Sequence, residues 1–188
     1  VNFYFSKKKY KKFIFIHPPQ CGGNTIDFFF KVNFGLRNYK VEHHAENKNF
    51  DFTSDKLKKY LLIFGHFPYE FALKDGYKNN HFYFTSIRDP KDRFLSNYFR
   101  NKKIHEKNGE KFMTLEKFLE MRYNQGIDNN YVRFFSSKKI YVDPSIKINN
   151  EHLIDSLENI KKLDFIFLLD NLSQDLFNFK KYFQLIID

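Results

Sequence analysis

Phe13-Ile14-Phe15-Ile16-His17-Pro18-Pro19-Gln20-Cys21-Gly22-Gly23-Asn24-Thr25 is the stretch whose reading decides the fold. Phe13 to Ile16 is a continuous apolar run, which fits a strand buried on both faces. Thr25 to Val32 then reads as a helix. Between them, Gly22 and Gly23 let the backbone turn tightly and aim N–H groups at a ligand. The helix adds its positive N-terminal end. Asn24 and Thr25 can add side-chain donors. The arrangement suits a phosphate cradle, and it equally suits an ordinary strand-to-helix turn. It is not a Walker loop, because the G-x-x-x-x-G-K-[ST] spacing and its Lys are absent.

Working outward, three more apolar runs read as buried strands: Leu61 to Phe64, ended by Gly65; Phe82 to Ile87; and Phe165 to Leu169. Val41 marks a short extra strand. Asp89-Pro90 predicts a helix start, with Asp as N-cap and Pro at the first helical position. Thr114 predicts another N-cap, with Glu116 in the first turn and no full capping box, since Lys117 holds the third position. Glu151 to Leu163 and Ser173 to Phe183 are further amphipathic candidates. Strands alternating with helices imply an α/β fold, a parallel sheet covered on both faces. In such sheets ligands bind beyond the C-terminal strand ends, here after Ile16, Phe64 and Ile87.

The third of these ends carries Arg88, followed on the helix by Arg93, Ser96 and Arg100. Residues 93, 96, 97 and 100 share a helical face. Arg88 suits bidentate contact with a phosphate, and Ser96 can donate to the same group. Arg93 is open to two readings, an anion contact or a salt bridge with Asp89 or Asp92. His43-His44 are adjacent and read as a solvated pair, and no metal-ligand spacing is present.

Composition limits the partners. The formal charge of +10 on 188 residues favours anionic ligands. The Lys7-Lys8-Lys9-Tyr10-Lys11-Lys12 run reads as a solvated N-terminal edge. Phe is abundant, at 26 residues, yet no nucleic-acid motif accompanies it, so a nucleic-acid partner is not expected. Cys21 is the single cysteine, which excludes an intrachain disulfide and fits a reducing compartment. No apolar run approaches the ~20 residues that span a bilayer. The chain begins at Val1 rather than Met, which points to a fragment or a processed form.

Taken together, the segments resemble one family. The first is similar to the 5′-phosphosulfate-binding loop of carbohydrate sulfotransferases, roughly His-x-Pro-Lys-Thr-Gly-Gly-Thr-Ser. Arg88-Asp89-Pro90-Lys91-Asp92-Arg93-Phe94-Leu95-Ser96-Asn97-Tyr98-Phe99 resembles the family's 3′-phosphate segment, including the eight-residue step from Arg88 to Ser96. Gly65-His66-Phe67-Pro68-Tyr69 is similar to its Gly-His-Phe-Pro-Tyr stretch. Asn129-Asn130-Tyr131-Val132-Arg133-Phe134-Phe135 resembles its Asn-x-x-x-Arg-Phe-Leu segment, and Leu163 to Leu168 its closing strand. The resemblance covers nearly the whole chain in the right order and is nearest to the heparan sulfate 2-O/6-O type.

The resemblance implies a P-loop-NTPase-like three-layer sandwich with a central, mostly parallel sheet, formed by residues 1–188 as a single domain. It implies sulfuryl transfer from 3′-phosphoadenosine 5′-phosphosulfate (PAPS) to a carbohydrate hydroxyl, without a metal. Gln20, Cys21, Gly22, Gly23, Asn24, Thr25, Arg88 and Ser96 would hold the nucleotide. His17, Arg93 and Arg133 would meet the acceptor, whose pocket the family builds from variable loops, here Asn101–Lys111 and Ser136–Asn150. His66 is the expected general base, with His17 second and Glu70 third. The compartment would be cytoplasmic for a microbial protein, or the Golgi lumen for a fragment of an anchored one. One departure matters: Gln20 stands where the family has Lys, so the catalytic role at this position lacks its charge. Substitution by another cation (Arg93, Arg133 or a loop Lys), a slow enzyme, and a domain that binds nucleotide or glycan without turnover all stay open.

Overall fold

The computed structural model describes residues 12–34, 39–42, 62–72, 81–125 and 129–187. Lys7 to Lys11, His43-His44 and Leu61 lie outside them. The chain order is β1 (Lys12–Ile16), α1 (Gly23–Phe34), β2 (Tyr39–Glu42), β3 (Leu62–Gly65), α2 (Tyr69–Ala72), β4 (His81–Ile87), α3 (Pro90–Lys107), α4 (Leu115–Asn124), α5 (Asn130–Phe135), α6 (Lys138–Val142), α7 (Asn150–Lys161), β5 (Phe165–Leu168), a 3-10 turn (Leu169–Asn171) and α8 (Leu172–Ile187). The five strands form one sheet in the order β2-β3-β1-β4-β5. Every described pairing is parallel. The fold is α/β and P-loop-NTPase-like, a parallel sheet between two helical layers.

β1 is the central strand, and each of its five residues is buried. Side chains alternate across a strand, so its two faces enter two cores. Phe13 and Phe15 join Phe30 of α1, Phe179 of α8 and Phe64, Phe82, Phe84 and Phe167 of the neighbouring strands. Ile14 and Ile16 join Ile63, Phe67, Tyr83, Phe134 and Phe135 on the opposite face, with Ile160 and Leu163 packed against them. Among the described residues most Phe side chains are thus buried. Phe179 packs 5.4 Å from Phe84 and 5.1 Å from Phe167, centroid to centroid.

Register sets up the site. Ile16 pairs with Gly65 on one side and Thr85 on the other, so β1 and β3 end at one level and β4 runs two residues further, to Ile87. Buried hydroxyls of β4 then tie down the end of β1 and the loop beyond it: Thr85 donates to the Ile16 carbonyl at 2.6 Å, and Ser86 to the Cys21 carbonyl at 2.7 Å.

Local signals acted as expected at two helix starts. Asp89 caps α3, accepting from the N–H groups of Lys91 and Asp92, with Pro90 at the first position. Thr114 caps α4, accepting from Lys117. Three expectations need correction. Lys12 belongs to β1, is 9% exposed, and burial lowers its pKa; it is no solvated edge. Asn101 to Lys107 is helix, the last turns of α3, rather than loop. The 136–150 segment carries α6. Among the described residues, no helix is long and apolar enough to cross a membrane.

Candidate functional site

The loop after β1 is held in place by its neighbours. The His17 N–H donates to the Gly65 carbonyl at 2.9 Å. Gln20 and Gly22 both take positive φ, 67° and 75°, so the chain winds left-handed twice before α1. Glycine serves two separate needs here. At Gly22 it permits the positive φ; a Cβ would also sit 2.4 Å from Leu169 Cδ1. At Gly23 a Cβ would lie 2.1 Å from His17 Cε1, so glycine lets the buried His17 ring pack against the helix start. The Thr25 and Ile26 N–H groups bond back to the Gly22 carbonyl. The earlier first-turn amides of α1, at Gly23 and Asn24, precede any helical acceptor and stay available at its N-terminal end.

Tyr131, on α5, fastens this loop to the end of β4. Its hydroxyl donates to the Arg88 carbonyl at 2.8 Å and accepts from the Arg88 N–H at 3.0 Å. With that proton engaged, the Cys21 thiol 3.1 Å away is the donor to the same oxygen. Burial pushes the pKa of both groups up, so both stay neutral around pH 7. A helix N-terminus ordinarily lowers a thiol pKa, and at Cys21 burial reverses that. Desolvation outweighs the Tyr131 hydrogen bond and the nearby Arg93 and Arg88 charges.

The three strand ends enclose a cleft of about 520 Å³, within the ~300–1,000 Å³ range of small-molecule sites. It is lined by His17, Gln20, Gly22, Gly23, Asn24, Thr25, His66, Arg88 and Ser96 of the expected set, with Asp27, Arg100 and Leu169 in addition. Among the described residues, Arg88 and Arg100 are its cations. Its carboxylate, Asp27, is paired with Lys31 Nζ at 2.6 Å. The field therefore favours an anion. Across the cleft the Ser96 hydroxyl donates to Gln20 Oε1 at 3.2 Å.

His66 lies at the cleft edge, half-buried. Its Nδ1 is 2.8 Å from the His17 carbonyl oxygen. A carbonyl only accepts, so Nδ1 carries the hydrogen and Nε2 of the neutral ring keeps its lone pair. The His17 ring stacks on it, centroids 4.5 Å apart. His17 is 6% exposed and also packs on Phe15 and Phe64. It forms the floor under His66.

Several expected residues point elsewhere. Cys21 does not line the cleft: its side chain is fully buried against Tyr131 and its carbonyl accepts from Ser86. Arg93 makes no ion pair with Asp89 or Asp92; its guanidinium lies over the Tyr131 ring, 5.3 Å from the centroid, in a separate cavity. Arg133 is 5% exposed, and its guanidinium donates to the carbonyls of Ile140, Asp143, Pro144 and Ile146. That cation holds the segment after α6 in place of contacting an acceptor in the cleft. Glu70 lines a different depression, with Ser136 and Lys162. Arg100 was the cleft residue most open to detection, one helical turn beyond Ser96. Tyr131 lay inside a matched segment, but its role is visible only in three dimensions.

A family model described as the sulfotransferase family matches residues 2–185. No curated protein matches the chain. The match spans the loop, Arg88, Ser96 and His66 together, and the chain belongs to the sulfotransferase family.

Proposed function

We propose that this protein is a PAPS-dependent sulfotransferase acting on a carbohydrate hydroxyl, with residues 1–188 as a single sulfotransferase-like domain. One observation carries the reading. A helix N-terminus, two arginines, a serine and a histidine of defined tautomer converge on one cleft at the strand ends. Family chemistry is sulfuryl transfer, generally from PAPS to an acceptor.

The cleft residues fit that co-substrate by charge and placement. The Gly23 and Asn24 amides would take the 5′ anion, where the helix end contributes about 0.3–1 kcal/mol per negative group. Arg88 and Ser96, with Arg100 beside them, would take the 3′-phosphate. When bound, PAPS supplies the sulfuryl group, and adenosine 3′,5′-bisphosphate is the product. His66 Nε2 accepts the proton of the acceptor hydroxyl as that oxygen attacks. The His17 carbonyl, bonded to Nδ1, orients the ring and stabilises the imidazolium that forms.

A second reading rests on Gln20. Its Oε1 is engaged by Ser96, so it offers the cleft amide hydrogens without a charge. Nucleotide or glycan binding with little turnover is the alternative. Incubation with radiolabelled PAPS and a panel of glycans separates the two. Label transfer supports the enzyme; nucleotide binding without transfer supports the alternative.

A further inference from the structure

A second cavity, of about 420 Å³, lies beside the start of α3, between α4 and the start of α5. Phe94, Leu119 and Val132 give it apolar walls, yet two guanidiniums, Arg93 and Arg122, stand in it. Arg93 rests on the Tyr131 ring at 5.3 Å and Arg122 on the Phe118 ring at 5.9 Å. Arg93 Nε is buried and lacks a hydrogen-bond partner. Neither guanidinium has a carboxylate within ion-pair distance among the described residues. The two sense each other: burial, then the Arg93 charge, lower the pKa of Arg122. Holding two cations together in an apolar-walled cavity is costly, and an anion between them relieves the cost.

Two further groups indicate what carries the anion. Asn130 Oδ1 is buried there with no donor, which suits a ligand hydroxyl. Tyr123 lines the rim with a ring 73% exposed, a face on which a sugar ring can stack. At Tyr123 the cavity adjoins a depression of about 780 Å³ that carries Lys147, so the positive surface continues along a path.

We propose that this cavity is a second anion subsite. It binds the carboxylate or sulfate of an acidic pyranose, with Arg93 and Arg122 on the oxyanion, Asn130 accepting from a ring hydroxyl and Tyr123 stacking on the ring. The sugar identity rests on the carbohydrate-acceptor reading above; the anion chemistry does not. Tyr131 joins the two sites, because its ring underlies Arg93 while its hydroxyl holds Arg88 and Cys21.

The test is calorimetric titration with a uronate-containing tetrasaccharide, its O-sulfated form, and its carboxyl-reduced, unsulfated counterpart. Wild type should bind an acidic form at least about tenfold more tightly than the neutral one, the scale of one charge-assisted hydrogen bond. The tighter of the two acidic forms identifies the oxyanion. Arg122→Gln should lose most of that preference, Arg122→Lys should retain much of it, and adenosine 3′,5′-bisphosphate affinity should stay the same in both. Equal binding of acidic and neutral forms by wild type, or undiminished acidic binding by Arg122→Gln, overturns the subsite. Circular dichroism melting checks the variants' folding, and the wild-type comparison decides if they do not fold. Loss of nucleotide binding by wild type would instead sink the donor-site reading, leaving an Arg122-dependent acidic preference standing.

Discussion

Ser96 donates its hydroxyl to Gln20 Oε1 across 3.2 Å, linking the two halves of the cleft. A serine has one hydroxyl hydrogen, so in this arrangement it is committed to Gln20 and must be redirected to serve a phosphate. A Lys at position 20 would accept nothing from Ser96 and would bring a cation to the loop. Gln20→Lys should therefore raise the rate of sulfuryl transfer, on the order of 10²-fold, the value of a preorganised donor at a developing charge. Initial rates with radiolabelled PAPS measure it; an unchanged rate would remove position 20 from any role at the leaving group.

His66→Ala should leave adenosine 3′,5′-bisphosphate affinity within about twofold and cut transfer by roughly 10²–10⁴-fold, the range for a general base. Single-turnover assays beside calorimetry read both quantities. Transfer persisting near the wild-type rate would move the base elsewhere.

Gly23→Ala should destabilise the protein by about 1–3 kcal/mol, because its Cβ would press on a ring already packed by Phe15, Phe64 and His66. Combining it with His17→Ala opens the space, so the double variant should lose less than the sum of the two. Urea unfolding of the four proteins gives the coupling.

Arg133→Ala should lower stability sharply while any folded protein keeps its nucleotide affinity, since four backbone carbonyls lose their donor. Thermal melting with and without adenosine 3′,5′-bisphosphate separates this from a role in binding.

Stability should also depend on pH at the alkaline side. Cys21 and Tyr131 have their folded pKa values raised by burial, so each contributes stability that is complete below its unfolded value. That contribution is lost as pH rises through the folded values, so the unfolding free energy should fall above about pH 9, near the ordinary thiol value of 9.0. Cys21→Ala should remove the thiol's share of the alkaline loss. Urea midpoints from pH 7 to 10.5 give the profile.

Much of this architecture was legible because buried parallel strands read as unbroken apolar runs. β1, β3 and β4 stood out for that reason; β5 reads as the same kind of run, yet only Phe167 of it is buried, and β2, four residues at the other end of the sheet order, left only the mark of Val41. Asp89-Pro90 and Thr114 were readable because a cap is a local hydrogen bond. Residues that act through tertiary contacts were not. In the 129–135 segment the charge drew attention to Arg133, but folding buried that guanidinium among carbonyls and left the link between loop and strand to Tyr131. The burial of the Cys21 side chain was likewise not legible in the sequence. Asn101–Lys107 passed for loop because its polar residues continue a helix whose outer face meets solvent.

The most direct test of the central claim is calorimetric titration of adenosine 3′,5′-bisphosphate and adenosine 5′-phosphate into wild type and Arg88→Ala. One-to-one binding of the bisphosphate is expected, at least about tenfold tighter than the monophosphate, as a bidentate arginine contact to the extra phosphate requires. Arg88→Ala should lose that preference and bind the bisphosphate at least a hundredfold more weakly, a loss on the order of 3 kcal/mol. Equal affinity for the two nucleotides, or bisphosphate binding undiminished in Arg88→Ala, would contradict the assignment of this cleft.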